Sequence, residues 1–165
     1  MDHILGIIVG NLVGGISIGW WKRSHNVHHI VCNSIDHDPD IQHLPAMAVD
    51  EKIFKGFYSS YHSKEFIFDT ISRWLVAYQH WLYYPIMGFA RFNLYAQSLI
   101  LLLTREAVDY KALEIACLTL FAAWVSLLTS MLPRDERLMF IIVSHFVSGV
   151  LHVQITLSHF SMNTF

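Results

Sequence analysis

The chain has 165 residues, of which 54% are hydrophobic and 15% charged. Soluble domains usually run at about 45–50% and about 25%, so this is membrane composition. A net charge of −2 leaves no basic excess to neutralise phosphates, which excludes nucleic acid as a partner. Cys32 and Cys117 form no CxxC pair, and neither a disulfide framework nor a zinc knuckle is expected.

Residues 1–21 are apolar but carry Gly6, Gly10, Gly14, Gly15 and Gly19. There is no basic n-region and no small-residue cleavage site, so this is not a signal peptide. The stretch is barely long enough to span and its glycines weaken a helix, so it is expected to be interfacial or re-entrant. Residues 22–64 form a polar region holding a histidine cluster. Residues 66–104 are apolar but broken by Gln79, His80 and Pro85. They read as interfacial helices, with Trp74, Trp81, Tyr83 and Tyr84 at headgroup level. Residues 113–132 and 138–160 read as two membrane spans joined by the turn Pro133-Arg134-Asp135-Glu136-Arg137. Lys22, Arg23, Lys52, Lys55 and Lys64 outnumber Arg134 and Arg137 of that turn, which puts 22–64 in the cytosol. The fold expected is all-α: an integral-membrane helical bundle with interfacial helices and a cytosolic histidine-box cap.

Histidine is the compositional anomaly, with 11 residues against 11 Lys and Arg together. Imidazole is the commonest side-chain ligand for transition metals. The sharpest motif is Ser24-His25-Asn26-Val27-His28-His29. On a helix, His25 lies one turn from both His28 and His29, while those two point about 100° apart. One helix can then offer nitrogens to two adjacent ions; the bland alternative is a solvated polar cluster beside a membrane.

His145, His152 and His159 recur every seven residues and share a helix face. Seven residues rise about 10.5 Å, so the three cannot serve one centre. With the hairpin turn on the far side, His159 returns to the level of the box. It is expected to be a ligand or to support one, with His152 second in line and His145 a packing histidine. His37, Asp38, Asp40 and His43 surround Pro39. They can orient ligating imidazoles from behind, or simply form a Pro-fixed surface turn.

At these residues a family resemblance becomes specific. The run from Gly15 through Trp20-Trp21-Lys22-Arg23 to His29 resembles the second histidine box of the front-end membrane desaturases. Similar continuations are Asn33–Pro45, Tyr78-Gln79-His80-Trp81, Ala90-Arg91-Phe92-Asn93 and His152–Phe160. Within that family the chain looks most like the fungal sphingolipid desaturases acting at carbon 8 of the long-chain base. The resemblance implies two iron ions, electrons from cytochrome b5 and its reductase, and O2-dependent insertion of a double bond into a sphingoid or acyl chain. It also implies residence in the endoplasmic reticulum membrane. It carries the metal-ligand role to His25, His28 and His29, and places the His152–His159 helix near the metals. The chain departs from the family pattern in showing no cytochrome b5 haem motif and neither a first nor a third histidine box. On this reading it is a fragment expected to be inactive alone. A lipid hydroxylase with the same boxes, a bis-histidine haem electron-transfer protein and a transporter with a histidine-lined path remain alternatives.

Overall fold

The computed structural model describes residues 2–104, 106–159 and 163–165. The chain is all-α apart from one short ribbon. Its order is α1 (Asp2–Ile7), a π-helical turn (Ile8–Val13), α2 (Ile18–Val31), two 3-10 turns (Pro39–Ile41, Glu51–Lys55), β1 (Phe57–Ser59) and β2 (Lys64–Phe66). Then follow α3 (Thr70–Ala77), α4 (Gln79–Leu103), α5 (Lys111–Ser130), α6 (Arg134–Val147) and α7 (Gly149–His159). Met1 and Phe160, at the outer limits of the expected segments 1–21 and 138–160, lie outside the described residues.

Among the described residues, three helices are long and apolar enough to cross a membrane: Gln79–Leu103, Lys111–Ser130 and the continuous pair Arg134–His159. Only 6% of the most apolar stretch of the last is buried against protein, so its apolar surface faces outward. A surface of that kind suits lipid better than water. The first pair, Asp2–Val13 and Ile18–Val31, is bent by 111° at the break between them, as in a broken span or a re-entrant loop.

The chain divides into two compact units. One holds residues 2–23 and Phe89–Ser148. In it, the bend between the first two arms packs on α5. Gly15 sits at φ +71, which only glycine adopts freely, and a Cβ there would lie 2.4 Å from Phe121 Cε1. The glycines of this stretch therefore serve close approach at a turn as well as weakening a helix.

The other unit holds Ser24–Gly88 and Gly149–Phe165. Its core is small: Ile35, Ile41, Leu44, Ala48, Ile53, Phe57, Phe66 and Val76, with Val49 and Phe68 packed against it. The ribbon pairs Phe57 with Phe66, Tyr58 with Glu65 and Ser59 with Lys64. The two Phe rings stack at 4.9 Å on the buried face. Strands of three residues are too short to register as alternation, and the sequence gives no hint of them.

The sequence reading breaks 66–104 at Gln79, His80 and Pro85; α3 and α4 do part just before Gln79, but α4 runs unbroken through His80 and Pro85. Pro85 lies in the second turn, where its missing N–H forfeits one bond near the helix start, and the long apolar stretch after it sustains the helix. The last span begins at Arg134, four residues before the expected 138, because Pro133 is already pre-set for a helix entry and Asp135 and Glu136 suit the first turn.

Candidate metal centre

The centre lies within one unit and is built on α2. His25, His28 and His29 gather along one side of that helix, at ring-centroid separations of 5.5 Å for His25–His28, 4.5 Å for His25–His29 and 5.5 Å for His28–His29. Their spacing of three and four residues dictates this. From α7, the His159 ring comes within 4.4 Å of His28 and 5.7 Å of His25. Together with Cys32, Asn33 and Ser158, these four imidazoles line a cavity of about 220 Å³.

Three of the four have one ring nitrogen already assigned. His28 is buried, and its Nδ1–H donates to Asp38 Oδ2 at 2.8 Å. His25 Nδ1–H donates to Asp40 Oδ2 at 3.0 Å. His159 Nδ1–H donates to the Ile155 carbonyl at 2.6 Å, and its Nε2 stands 3.8 Å from Asp40. Hydrogen bonds to carboxylate and carbonyl oxygens fix the proton on Nδ1 and put the lone pair on Nε2, the form in which imidazole binds a metal.

The local chain explains why both carboxylates arrive there. Asp38 is fully buried and opens the 3-10 turn Pro39–Ile41. Its Oδ1 accepts from Asp40 N–H at 2.9 Å, and its Oδ2 accepts from Asn33 N–H at 2.7 Å as well as from His28. Asn33 takes a left-handed conformation at φ 63, which turns the chain sharply after α2 and brings Asp38 back under the helix. Gln42 braces this turn, donating to the Ile35 carbonyl at 2.8 Å and accepting from Ser59 Oγ at 2.6 Å. Residues 163–165 pair with the same segment through Ile35 N–H to Phe165 O and Phe165 N–H to Asn33 O.

The expected residues divide clearly. His25, His28, His29, His159, Asp38 and Asp40 come together. His152 lies about 10.5 Å further down α7 and joins neither donor group found among the described residues. His37 is exposed and pairs with Ser60 Oγ at 2.6 Å, away from the box. His145, in the other unit, donates from Nδ1 to the Ile141 carbonyl at 2.7 Å, accepts from Tyr95 O–H at 3.3 Å and stacks on Phe92. Sequence reasoning missed Cys32, whose Sγ is 3.7 Å from His28 Nε2. Its place four residues after His28 on the same helix face was a usable signal.

His43 lies behind the centre, and its Nε2 is closed off from solvent. Burial pushes its pKa below the usual 6.5, against the raising influence of Asp40 and Asp38. A depressed histidine stays neutral in the fold while the unfolded chain takes up a proton. Its contribution to stability is therefore full above about pH 6.5 and is lost as pH falls from there toward the folded value. Thermal melts of the chain in detergent between pH 7.5 and 5 are expected to fall less steeply in His43→Gln than in wild type. Parallel curves would remove His43 as the source of acid sensitivity.

A second cavity of about 390 Å³ in the same unit is lined by Met47, Ala48, Val49, Tyr83, Tyr84 and Leu157, with Gln79 and His80. Its walls are mainly apolar, and Gln79 Oε1 accepts from Ala48 N–H at 2.9 Å.

A family model described as fatty acid desaturase matches residues 1–164. An acyl-lipid (9-3)-desaturase of Borago officinalis is 47% identical over 100% of this chain and 37% of its own length. A delta(8)-fatty-acid desaturase of Helianthus annuus is 47% identical over 97% of the chain and 35% of its own. The fungal kind anticipated from the sequence is present too: a delta 8-(E)-sphingolipid desaturase of Emericella nidulans is 44% identical over 99% of the chain and 32% of its own. The chain thus spans about a third of the length of the curated relatives it matches. No solved structure matches.

Proposed function

This chain belongs to the fatty acid desaturase family, and on that premise we propose that it carries part of a di-iron centre that desaturates a sphingoid-base or acyl chain. The observation that carries the reading is the convergence of His25, His28, His29 and His159 with their Nδ1 protons held by Asp40, Asp38 and Ile155 O. The donor set fits iron, which accepts neutral imidazole readily. When bound, the two irons would supply O2 activation and cleavage of a substrate C–H bond. The protein's share is positional: Asp38 and Asp40 hold the protons of His28 and His25 and keep both rings from turning. The apolar cavity beside Leu157 and Tyr84 would take the aliphatic chain. A hydroxylase outcome would use the same residues, differing only in how the chain lies over the metals.

Topology follows from counting. Three long helices separate Asp40 from His159 in sequence, and three crossings would put these residues on opposite sides of a membrane. Their 3.8 Å separation supports an even number instead. The hairpin of α5 with α6 and α7 supplies two crossings. The region 66–104 then lies along the interface despite its length, consistent with Gln79, His80, Arg91, Asn93 and Gln97 in α4. The bent pair before the box is re-entrant, and 22–64 faces the cytosolic side of the endoplasmic reticulum membrane, where cytochrome b5 and its reductase would supply electrons.

Four imidazoles make up only part of a dinuclear shell, which takes several ligands per ion. The purified 165-residue chain is therefore expected to hold well under two irons and to be inactive alone. Metal content by mass spectrometry, with His28→Ala as control, tests this. Two irons per chain, lost in the control, would refute the partial-shell reading. Trace iron that responds to the control would support it, while iron indifferent to His28 would overturn the site itself.

A further inference from the structure

The bend between the first two arms contains backbone groups that no helix satisfies, and every one of those at the start of α2 is met by a side chain. Ser17 caps the helix, its Oγ accepting from Trp20 N–H at 3.0 Å. Ile18 N–H donates to Asn11 Oδ1 at 3.2 Å, and Gly19 N–H donates to Glu114 Oε1 at 2.8 Å. Glu114, from the first turn of α5, is fully buried. Its Oε2 also accepts from Asn11 Nδ2 at 3.0 Å and from Ser17 Oγ–H. The end of the first arm is served in the opposite sense. The Gly14 carbonyl accepts from the Arg91 guanidinium, and the Leu12 carbonyl accepts from Trp124 Nε1–H at 2.8 Å. An acid thus stands at the positive start of one helix and a base at the negative end of the other, the favourable pairing with helix dipoles. A buried acid and a half-buried guanidinium beside apolar spans are costly and rare. Their use here matches a specific need, since irregular backbone at membrane depth must be satisfied by protein.

We propose that Glu114 and Arg91 are positioning residues that hold the bend at 14–17 shut and so fix the start of the histidine-bearing helix. The inference rests on the metal-centre reading for its consequence, though not for its geometry. His25 is six residues beyond Gly19 on the same helix, about 9 Å along it, so fraying from an opened start would run into the turns that carry the box. It also gives a role to the Ala90-Arg91-Phe92-Asn93 motif, which the metal centre leaves unused. Each charge acts on its own helix end, so exchanging the two charges cannot preserve the arrangement.

The test is hydrogen exchange with mass spectrometry on the whole chain in detergent micelles, alongside the visible spectrum of added Co(II). In Glu114→Gln, exchange of the amides at 17–20 is expected to rise about tenfold or more, as for loss of a hydrogen bond to a charged acceptor. Exchange across 115–130 and 134–147 should hold steady, and the Co(II) bands should shift. Arg91→Lys keeps a donor and should fall between Arg91→Ala and wild type. The double variant Arg91→Glu/Glu114→Arg should remain as open as the worse single one. Unchanged exchange at 17–20, or a rise everywhere alike, would overturn the proposal, as would recovery in the double variant, which would make the two a mutual ion pair. Faster exchange with unmoved Co(II) bands would overturn the link to the box. A wild-type chain that binds no Co(II) would fail the metal reading instead. Exchange across 24–29, expected to rise together with 17–20, then decides the positioning role.

Discussion

Replacement of Asp38 by asparagine is expected to weaken metal binding by the chain about 10- to 100-fold, the usual result of losing a group that orients a ligating histidine. Asp38 accepts from His28 Nδ1–H, and its two oxygens also collect the amides of Asn33 and Asp40. An asparagine of the same shape can keep one oxygen as acceptor, but its amide nitrogen then faces donors. Either His28 loses its partner and turns, or the proton moves to Nε2 and blocks the lone pair a metal needs. Asp38→Ala should go further and destabilise the fold, since each buried donor left without an acceptor costs about 1–3 kcal/mol. The two effects separate by method. A Co(II) titration reads the first, and a thermal melt in metal-free buffer reads the second. Wild-type affinity in Asp38→Asn would show that the carboxylate only caps the 3-10 turn. Asp40→Asn should weaken binding as well, but with less loss of stability, because Asp40 is only partly buried.

The parts of this centre that were legible in the sequence are those set by helical periodicity. Spacing alone puts His25, His28 and His29 on one side of α2, and the seven-residue stripe selects His159 once the hairpin is assumed. The carboxylates were legible as candidates because Asp-Pro-Asp forms a tight turn, but nothing local tells which of the four polar residues there faces the box. The structure decides through Asn33, whose left-handed backbone aims Asp38 inward, while His37 ends on the opposite side against Ser60. The ribbon 57–66 was hidden by its length, and the continuity of α4 by Pro85. Least visible was Glu114. Its partners Asn11, Ser17 and Gly19 are 103, 97 and 95 residues away, and an isolated acid at the start of an apolar helix looks like an interfacial residue. Long-range satisfaction of a bend leaves no period in the sequence.

The histidine stripe of the last helix gives the sharpest contrast among the substitutions. His159→Ala is expected to reduce Co(II) affinity at least as much as loss of a supporting carboxylate does, about 10- to 100-fold or more, because it removes one of four imidazoles from the cavity. It also frees Asp40 from one of its two ring neighbours, so His25 should retain its own bond and the cap should stay folded. His152→Ala removes a half-buried imidazole two turns away and should leave the affinity near wild type. Sequence periodicity treats these residues as equals, whereas the 4.4 Å approach of His159 to His28 does not. Similar losses in both variants would mean that the whole helix face serves the metals or that α7 simply unfolds, and far-ultraviolet dichroism distinguishes those outcomes. A loss confined to His152→Ala would reverse the assignment, requiring α7 to sit two turns deeper against the box and removing the parity argument that lays 66–104 along the membrane surface.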